Sequence, residues 1–311
     1  MDKNSKIFIA GDKDILRTSF IRYFEQNGFI NVLDNVSFEV DLMNQDSVRS
    51  FFKKEKPGYV FLNHIKSYGI AANIKCPADL MHTNLEVQNN IIQSSFEFKV
   101  KKMLFLASSC VYPADSSQAI KESCFLNGRL EETSAHYAVS KIAGIKMSQA
   151  YNLQHGVNFI SAVPATIYGP YDEFDSENSH VMAALVSKFY GAKIRGDKEV
   201  VVWGRGIALR EFIYVEDVVK AAVFLMNNYD SPEIINIGVG EDISIKDLAL
   251  LIKDVVGFRG KIVFDESKPV GVLKKLLDSS KINVLGWSAE ITLEEGIYQT
   301  YEWYKNLKKR V

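Results

Sequence analysis

Cysteine is scarce, net charge is nearly absent, and a candidate phosphate loop keeps a single glycine. Cys76, Cys110 and Cys124 in 311 residues are too few and too irregularly spaced for a disulfide framework or a zinc site. That is the pattern of a reducing cytoplasm, and no metal is expected. Lys plus Arg number 37 against 38 for Asp plus Glu, a formal charge of −1. Such a balance gives no long-range field toward nucleic acid or an anionic membrane. The longest uncharged apolar run, around Ala221–Met226, is far short of a membrane span. The opening MDKNSK is polar and precedes only a strand's length of apolar residues, so no secretory leader is expected. There is no internal repeat and no low-complexity linker. What remains is a cytoplasmic protein with a small-molecule partner.

What is present is an alternation of short β-branched runs with helix-length amphipathic stretches, the sign of a parallel sheet. KIFIAG (6–11) leads into a helix through TSFIRYFEQNG (18–28), with Phe20, Ile21 and Phe24 on one face and Gly28 as its cap. Further strands are expected in INVLD (30–34), before Asn63, in KKMLFLASSC (101–110) and in NFISAVPATIYGP (158–170), with long helices near 83–100 and 137–156. After about Asp172 the alternation becomes irregular. Segments 235–257 and 285–304 read as a strand-turn-helix and a final helix, with Ser244 and Thr292 as N-caps. The fold expected is α/β: a doubly wound Rossmann-type parallel sheet with a smaller, mixed C-terminal lobe. Residues 1–171, with returning segments at about 205–240, are assigned to a dinucleotide domain, and 172–311 mainly to a substrate lobe.

The first loop departs from a dinucleotide-binding pattern. Such a loop uses three glycines, for the turn, for close approach of backbone to pyrophosphate and for helix packing. Here Gly11 stands alone, and Asp14 and Arg17 occupy the second and third positions of a G-x-x-G-x-x-G spacing. Asp14 brings a carboxylate toward the phosphates unless Lys13 or Arg17 compensates. Two outcomes are open: Lys13 and Arg17 bind phosphate by side chain, or cofactor binding is weakened. Asp34, about 20 residues on, is placed to receive a ribose 2′-hydroxyl, which favours NAD(H).

Tyr137 and Lys141, four residues apart on a helix, project from one face. An ammonium beside a phenol favours the phenolate and makes a proton donor or acceptor. Ser108 and Ser109 close an apolar strand, where open α/β sheets place their ligands, and a hydroxyl there suits a carbonyl oxygen.

ASSCVYP (107–113), YAVSKIAGIKMSQAY (137–151), YGPYDEFDSENSHV (168–181), VVVWGRGIALREFIYVEDV (200–218) and FDESKPVGVLKKLLD (264–278) together resemble the GDP-L-fucose synthases. These are extended short-chain dehydrogenases acting on a GDP-linked 4-keto sugar, GDP-4-keto-6-deoxymannose. The resemblance spans nearly the whole chain. It implies C3/C5 epimerisation followed by reduction of the ketone with NADP(H), and a homodimer paired through helices near Asn84–Phe98 and Tyr137–Gln154. Hydrogens flanking a ketone are acidic through the enolate, so inversion needs a base on one face and an acid on the other. Cys110 and His180 match that pair, with Ser108 and Tyr137 on the enolate oxygen and Lys141 on the nicotinamide ribose. The implied cofactor contacts are Gly11, Lys13, Asp14, Ile15, Asp34, Asp41, Leu42, Lys141, Pro164, Ile167 and His180. The implied substrate contacts are Ser109, Lys188, Trp203 and Arg210. The departures are Asp14, Arg17, the larger residues Asn63, His64 and Ile65 in a small-residue run, and Val270 in place of an aspartate. They leave open a C4 reductase of another GDP-4-keto sugar such as a heptose, or an epimerase or binder with a degraded cofactor loop.

Overall fold

Ile7–Ala10 (β1), apolar at every position and fully buried, sits second from the edge of the principal sheet. The computed structural model describes residues 1–12, 14–63, 69–174, 179–267 and 271–309. After β1 come Ile15–Gln26 (α1), Val32–Asp34 (β2), Gln45–Glu55 (α2), Tyr59–Leu62 (β3), Ile70–Lys75 (α3), Pro77–Glu97 (α4) and Lys102–Leu106 (β4). The middle of the chain forms Ala135–His155 (α5), Phe159–Pro164 (β5), Thr166–Tyr168 (β6), Val181–Arg195 (α6), Glu199–Trp203 (β7), Leu209–Arg210 (β8), Phe212–Tyr214 (β9) and Val215–Asn228 (α7). The last part holds Ile235–Ile237 (β10), Ile243–Ser244 (β11), Ile245–Val256 (α8), Lys261–Asp265 (β12), Lys274–Lys275 (β13), Ser280–Val284 (α9) and Leu293–Lys309 (α10).

The principal sheet has the order β2-β1-β3-β4-β5-β10, with every pairing parallel. Strand order reverses between β1 and β3, and ligands of open α/β sheets enter the crevice outside the carboxyl ends at such a point. Gly11 and Asn63 succeed those two strands, and the Asn63 amide donates to the Ala10 carbonyl at 2.8 Å. This is the doubly wound α/β fold expected from the alternation of strands and helices.

Helix α1 ends as its sequence requires. Gly28 has φ +75°, and the Phe29 amide reaches back to the Phe24 carbonyl at 3.0 Å, closing the helix with a left-handed turn. Phe20, Phe24 and Phe61 stack beneath it at 4.9–6.3 Å between centroids. Helices α4 and α5 lie side by side, and Gln88 donates to the Ser140 carbonyl at 2.7 Å. A Cβ on Gly144 would meet the Phe105 ring at 2.5 Å, so glycine lets α5 settle directly on β4.

Residues 158–170, expected as one strand, form two. Pro164 has no N–H for the ladder, and after Ala165 the chain leaves the sheet to pair as β6 with β9. The segment 235–257 also divides: Ile235–Ile237 joins the principal sheet beside β5, while α8 enters a second core. That core gathers Phe189, Val202, Phe212, Leu248, Ile252, Ile297 and Tyr301 from α6, β7, β9, α8 and α10. Small two- and three-stranded sheets cover it, so the lobe is mixed. Ser244 and Thr292 cap α8 and α10 as expected.

Candidate active site

One cavity of about 670 Å³ opens between the carboxyl ends of the principal sheet and the second core. Its walls bring together Ser108, Ser109, Cys110 and Tyr137 with His180, Lys188, Trp203 and Arg210. Asp14, Ile15, Pro164 and Ile167 also line it. Gly11, Asp34, Asp41 and Leu42 do not.

The serine-cysteine turn is held in place by the residue two positions beyond the cysteine. After β4 the chain makes a short 3-10 turn over Ser109–Val111, and the buried Tyr112 hydroxyl donates to Asn236 Oδ1 at 2.6 Å. Asn236 in turn donates to the carbonyls of Ile120 and Asp278 at 2.9 and 3.0 Å. A residue of β10 thus pins the loop that carries the thiol. Burial pushes the Cys110 thiol up, opposed by the Lys275 charge, the Ser108 hydroxyl bonded to the sulfur, and the Lys141 charge. Burial moves His180 the other way, downward. Thiol and neutral imidazole are therefore the resting forms at neutral pH.

Tyr137 and Lys141 share a face of α5. Lys141 Nζ stands 5.8 Å from the Tyr137 ring centroid and 5.0 Å from that of Phe105. Burial pulls Lys141 down to about 8, with the Cys110 and Asp14 charges opposing. Lys188 lies over Trp203 at 5.5 Å and donates to the Val201 carbonyl, and Trp203 is 43% exposed at the mouth. Burial lowers Arg210, opposed by Glu131.

Sequence reasoning misses Lys275 and Glu131. Lys275 pairs in register with Arg210 where β13 meets β8, lines the same cavity, and is lowered by burial. Glu131 takes hydrogen bonds from the amides and hydroxyls of Thr133 and Ser134. In the sequence the KKLLD run stands out only as part of a resemblance, and nothing in EETS (131–134) marks a carboxylate held by four donors.

The first loop does not use Arg17 as a phosphate ligand. Arg17 is buried, and its guanidinium binds Asp34 at 2.8 and 3.0 Å. Asp34 Oδ1 also accepts the Val36 and Ser37 amides at 3.0 Å, so its carboxylate is engaged by the protein before any ribose. Burial alone would raise Asp34, but the Ser37 and Arg17 hydrogen bonds hold it below the usual range. Asp14 caps α1, accepting the Arg17 amide at 2.9 Å. Burial pushes its carboxyl up to about 7. Lys13, His64, Ile65 and Val270 lie outside the described residues.

Two buried groups fit a dinucleotide. Lys141 Nζ and both atoms of the Asn63 carboxamide have no hydrogen-bond partner among the described residues, and each is completely buried. Buried polar groups are nearly always paired; these two lie behind the cavity wall, after β3 and one turn beyond Tyr137, where polar atoms of a dinucleotide would complete them. Among the described residues no group of three or more His, Cys, Asp or Glu is placed to hold a metal ion, and no helix is long and apolar enough to cross a membrane.

Residues 21–238 match the NAD dependent epimerase/dehydratase family. GDP-L-fucose synthase 1 of Arabidopsis thaliana is 48% identical over 310 residues, covering 99% of this chain and 96% of that protein. A crystal structure of a GDP-6-OMe-4-keto-L-xylo-heptose reductase from C. jejuni superposes with a TM-score of 0.94 at 38% identity, over 99% of both chains. A GDP-mannoheptose C4 reductase from Campylobacter jejuni with NADP bound gives 0.89 at 40% identity, over 98% of this chain and 99% of that one.

Proposed function

The chain belongs to the NAD dependent epimerase/dehydratase family, on the branch of the GDP-L-fucose synthases, and we propose that it epimerises and reduces a GDP-4-keto-6-deoxy sugar with NADP(H). The observation that carries this reading is the shared cavity: Cys110 and His180 line it together with Ser108 and Tyr137, and Lys141 stands behind.

In this reading Ser108 and Tyr137 hold the ketone oxygen. Transfer of the Cys110 proton to the neutral His180 imidazole makes a base and an acid at once, and Lys275 and Lys141 favour the thiolate. Thiolate then removes the proton at C3 or C5 on one face, and imidazolium returns one on the other. Tyr137 hands its proton to O4 as the ketone is reduced, with Lys141 on the nicotinamide ribose. The dinucleotide, when bound, supplies the hydride for C4. Lys188, Arg210 and Trp203 hold the GDP, with Ser109 beside them; cations suit its diphosphate. Gly11, Asp14, Ile15, Pro164 and Ile167 border the dinucleotide.

Residues 1–171, with returning segments at about 205–240, form the dinucleotide half, and 172–311 mainly the nucleotide-sugar half. The working form is a cytoplasmic homodimer joined through α4 and α5. NADP(H) is favoured over NAD(H) by the NADP-bound relative and because Arg17 engages Asp34.

The test is turnover of GDP-4-keto-6-deoxymannose with NADPH in heavy water. NADPH oxidation with deuterium at C3 and C5 of the product supports the reading. A second reading, C4 reduction of a GDP-4-keto-heptose with little epimerisation, is favoured by the close superposition on the heptose reductase. Reduction of the heptose without deuterium uptake would select it, and no oxidation with either substrate would overturn both.

A further inference from the structure

Four of the backbone donors at the loop and the head of α1, the amides of Gly11, Asp14, Leu16 and Arg17, are already engaged. The Gly11 amide donates to Asn35 Oδ1 at 3.1 Å, and the Asp14 amide to the Asp12 carbonyl at 2.8 Å. At the first turn of α1, the Arg17 amide is taken by the Asp14 carboxylate at 2.9 Å, and the Leu16 amide also bonds to it. A helix N-terminus attracts an anion, and here the anion is internal. Arg17, the nearest cation on α1, faces away into its pair with Asp34. Asp14 itself lines the cavity.

We propose that the Asp14 carboxylate occupies the diphosphate position at the head of α1, and that a dinucleotide binds there only when Asp14 is protonated or displaced. Asp14 is then a built-in competitor, and cofactor binding takes up a proton. This rests on the reading that the crevice receives NAD(P).

The charges facing Asp14 pull both ways. Asp12 from its own loop and Asp172 from the segment after β6, with Glu173 beside Asp172, favour that coupling, whereas Arg17 from α1 and Lys141 from α5 oppose it; His180 lines the same cavity. Asp172 is also raised to about 7, by burial first and then by Asp14 and Glu173. A dinucleotide diphosphate added to three or four carboxylates is repelled unless one of them is neutral. The sign is plain: a carboxyl raised to about 7 is mostly neutral at pH 6 and mostly charged at pH 8.5. The neutral fraction falls roughly 30-fold over that interval.

The experiment is calorimetric titration of the full-length protein with NADP+ and NAD+, at about pH 6 and about pH 8.5, in two buffers of different ionisation heat. Wild-type affinity is expected to fall roughly 30-fold across the interval, with net proton uptake at the alkaline end. Asp14→Asn keeps a good helix cap but carries no charge. It should bind more tightly at alkaline pH, with a smaller proton uptake, since only the Lys141 and Asp172 shares remain. Asp14→Gly, which restores the second glycine, should do the same. Lys141 loses its own proton near pH 8 in every variant, so the ratio of wild type to Asp14→Asn isolates Asp14. Equal affinities and pH profiles in wild type and Asp14→Asn would overturn the inference while leaving the cofactor reading intact. No binding by any of the three, in protein that still binds GDP and melts cooperatively, would overturn the cofactor reading and the inference with it.

Discussion

Replacing Tyr112 by phenylalanine removes one oxygen atom, and the structure says what that should do. The hydroxyl is the donor to Asn236 Oδ1 at 2.6 Å, between side chains that are 2% and 0% exposed. No water can replace it without opening the core. The carboxamide nitrogen remains held by Ile120 and Asp278, so Asn236 cannot turn to find another donor. The loss is therefore one hydrogen bond plus an orphaned acceptor, about 2 kcal/mol. In a chain of this size that corresponds to roughly 3 °C in Tm. Burial pushes the Tyr112 phenol far above its usual range, so it stays a donor at any working pH. The deficit should be the same in mildly acidic and mildly alkaline buffer. Tyr112 lies two positions beyond Cys110, so the second readout is alkylation of Cys110, located by peptide mass spectrometry. Cys76 acts as the internal control because it lies outside the cavity lining, whereas Cys124 faces the Tyr112 phenol. Alkylation of Cys110 should quicken while that of Cys76 does not. A Tyr112→Phe protein with unchanged melting and unchanged Cys110 reactivity would refute the claim that this bond holds the thiol loop.

Three further outcomes are expected. Tyr137→Phe should lower ketone reduction by about 100-fold or more, the usual scale for a lost proton donor, while GDP-sugar affinity measured by calorimetry is retained; full reductase activity would remove Tyr137 from its role. Glu211 is buried and accepts the amides of Val239, Gly240 and Leu277 at 2.7–2.8 Å, so Glu211→Ala should cost about 3 kcal/mol or more in urea unfolding, with Glu211→Gln falling between. Lys141, lowered to about 8, should lose its ammonium as pH rises through that value, giving the reduction rate a declining alkaline limb that Lys141→Met lacks in a stopped-flow pH profile.

The fold is legible in the sequence where one element carries one clear signal. β1 and α1 announce themselves by an apolar run, a helical face and Gly28, because local chain preferences and burial agree there. The split after Pro164 is not legible: β5 and β6 form one apolar run, and only the partner strand β9, over 40 residues later, decides where it divides. For the candidate site, Ser108, Cys110, Tyr137 and His180 are singled out by their chemistry and their motifs, and one cavity brings them together. Lys275 escapes notice because a lysine among lysines looks solvated until β13 is laid against β8. The Arg17–Asp34 pair escapes for a related reason. In the sequence each residue is weighed against an absent ligand, whereas burial sets them against each other.

The cavity wall draws on residues from Asp12 to Lys275, and the pin on the thiol loop needs the carbonyl of Asp278. During synthesis the segments carrying Ser108, Cys110 and Tyr137 are made when less than half of the chain exists. β1 to β5 can pair well before the chain is complete, since domains fold from their N-terminal part as they emerge. The loop that bears the thiol, however, stays unfastened until β10 and the 274–278 segment have been made. A chain that stops soon after β5 would thus own a folded sheet and a loose thiol loop, with Lys188, Arg210 and Lys275 still missing. The cavity wall is therefore completed only near the end of translation, once Lys275 has been made and β13 has been laid against β8.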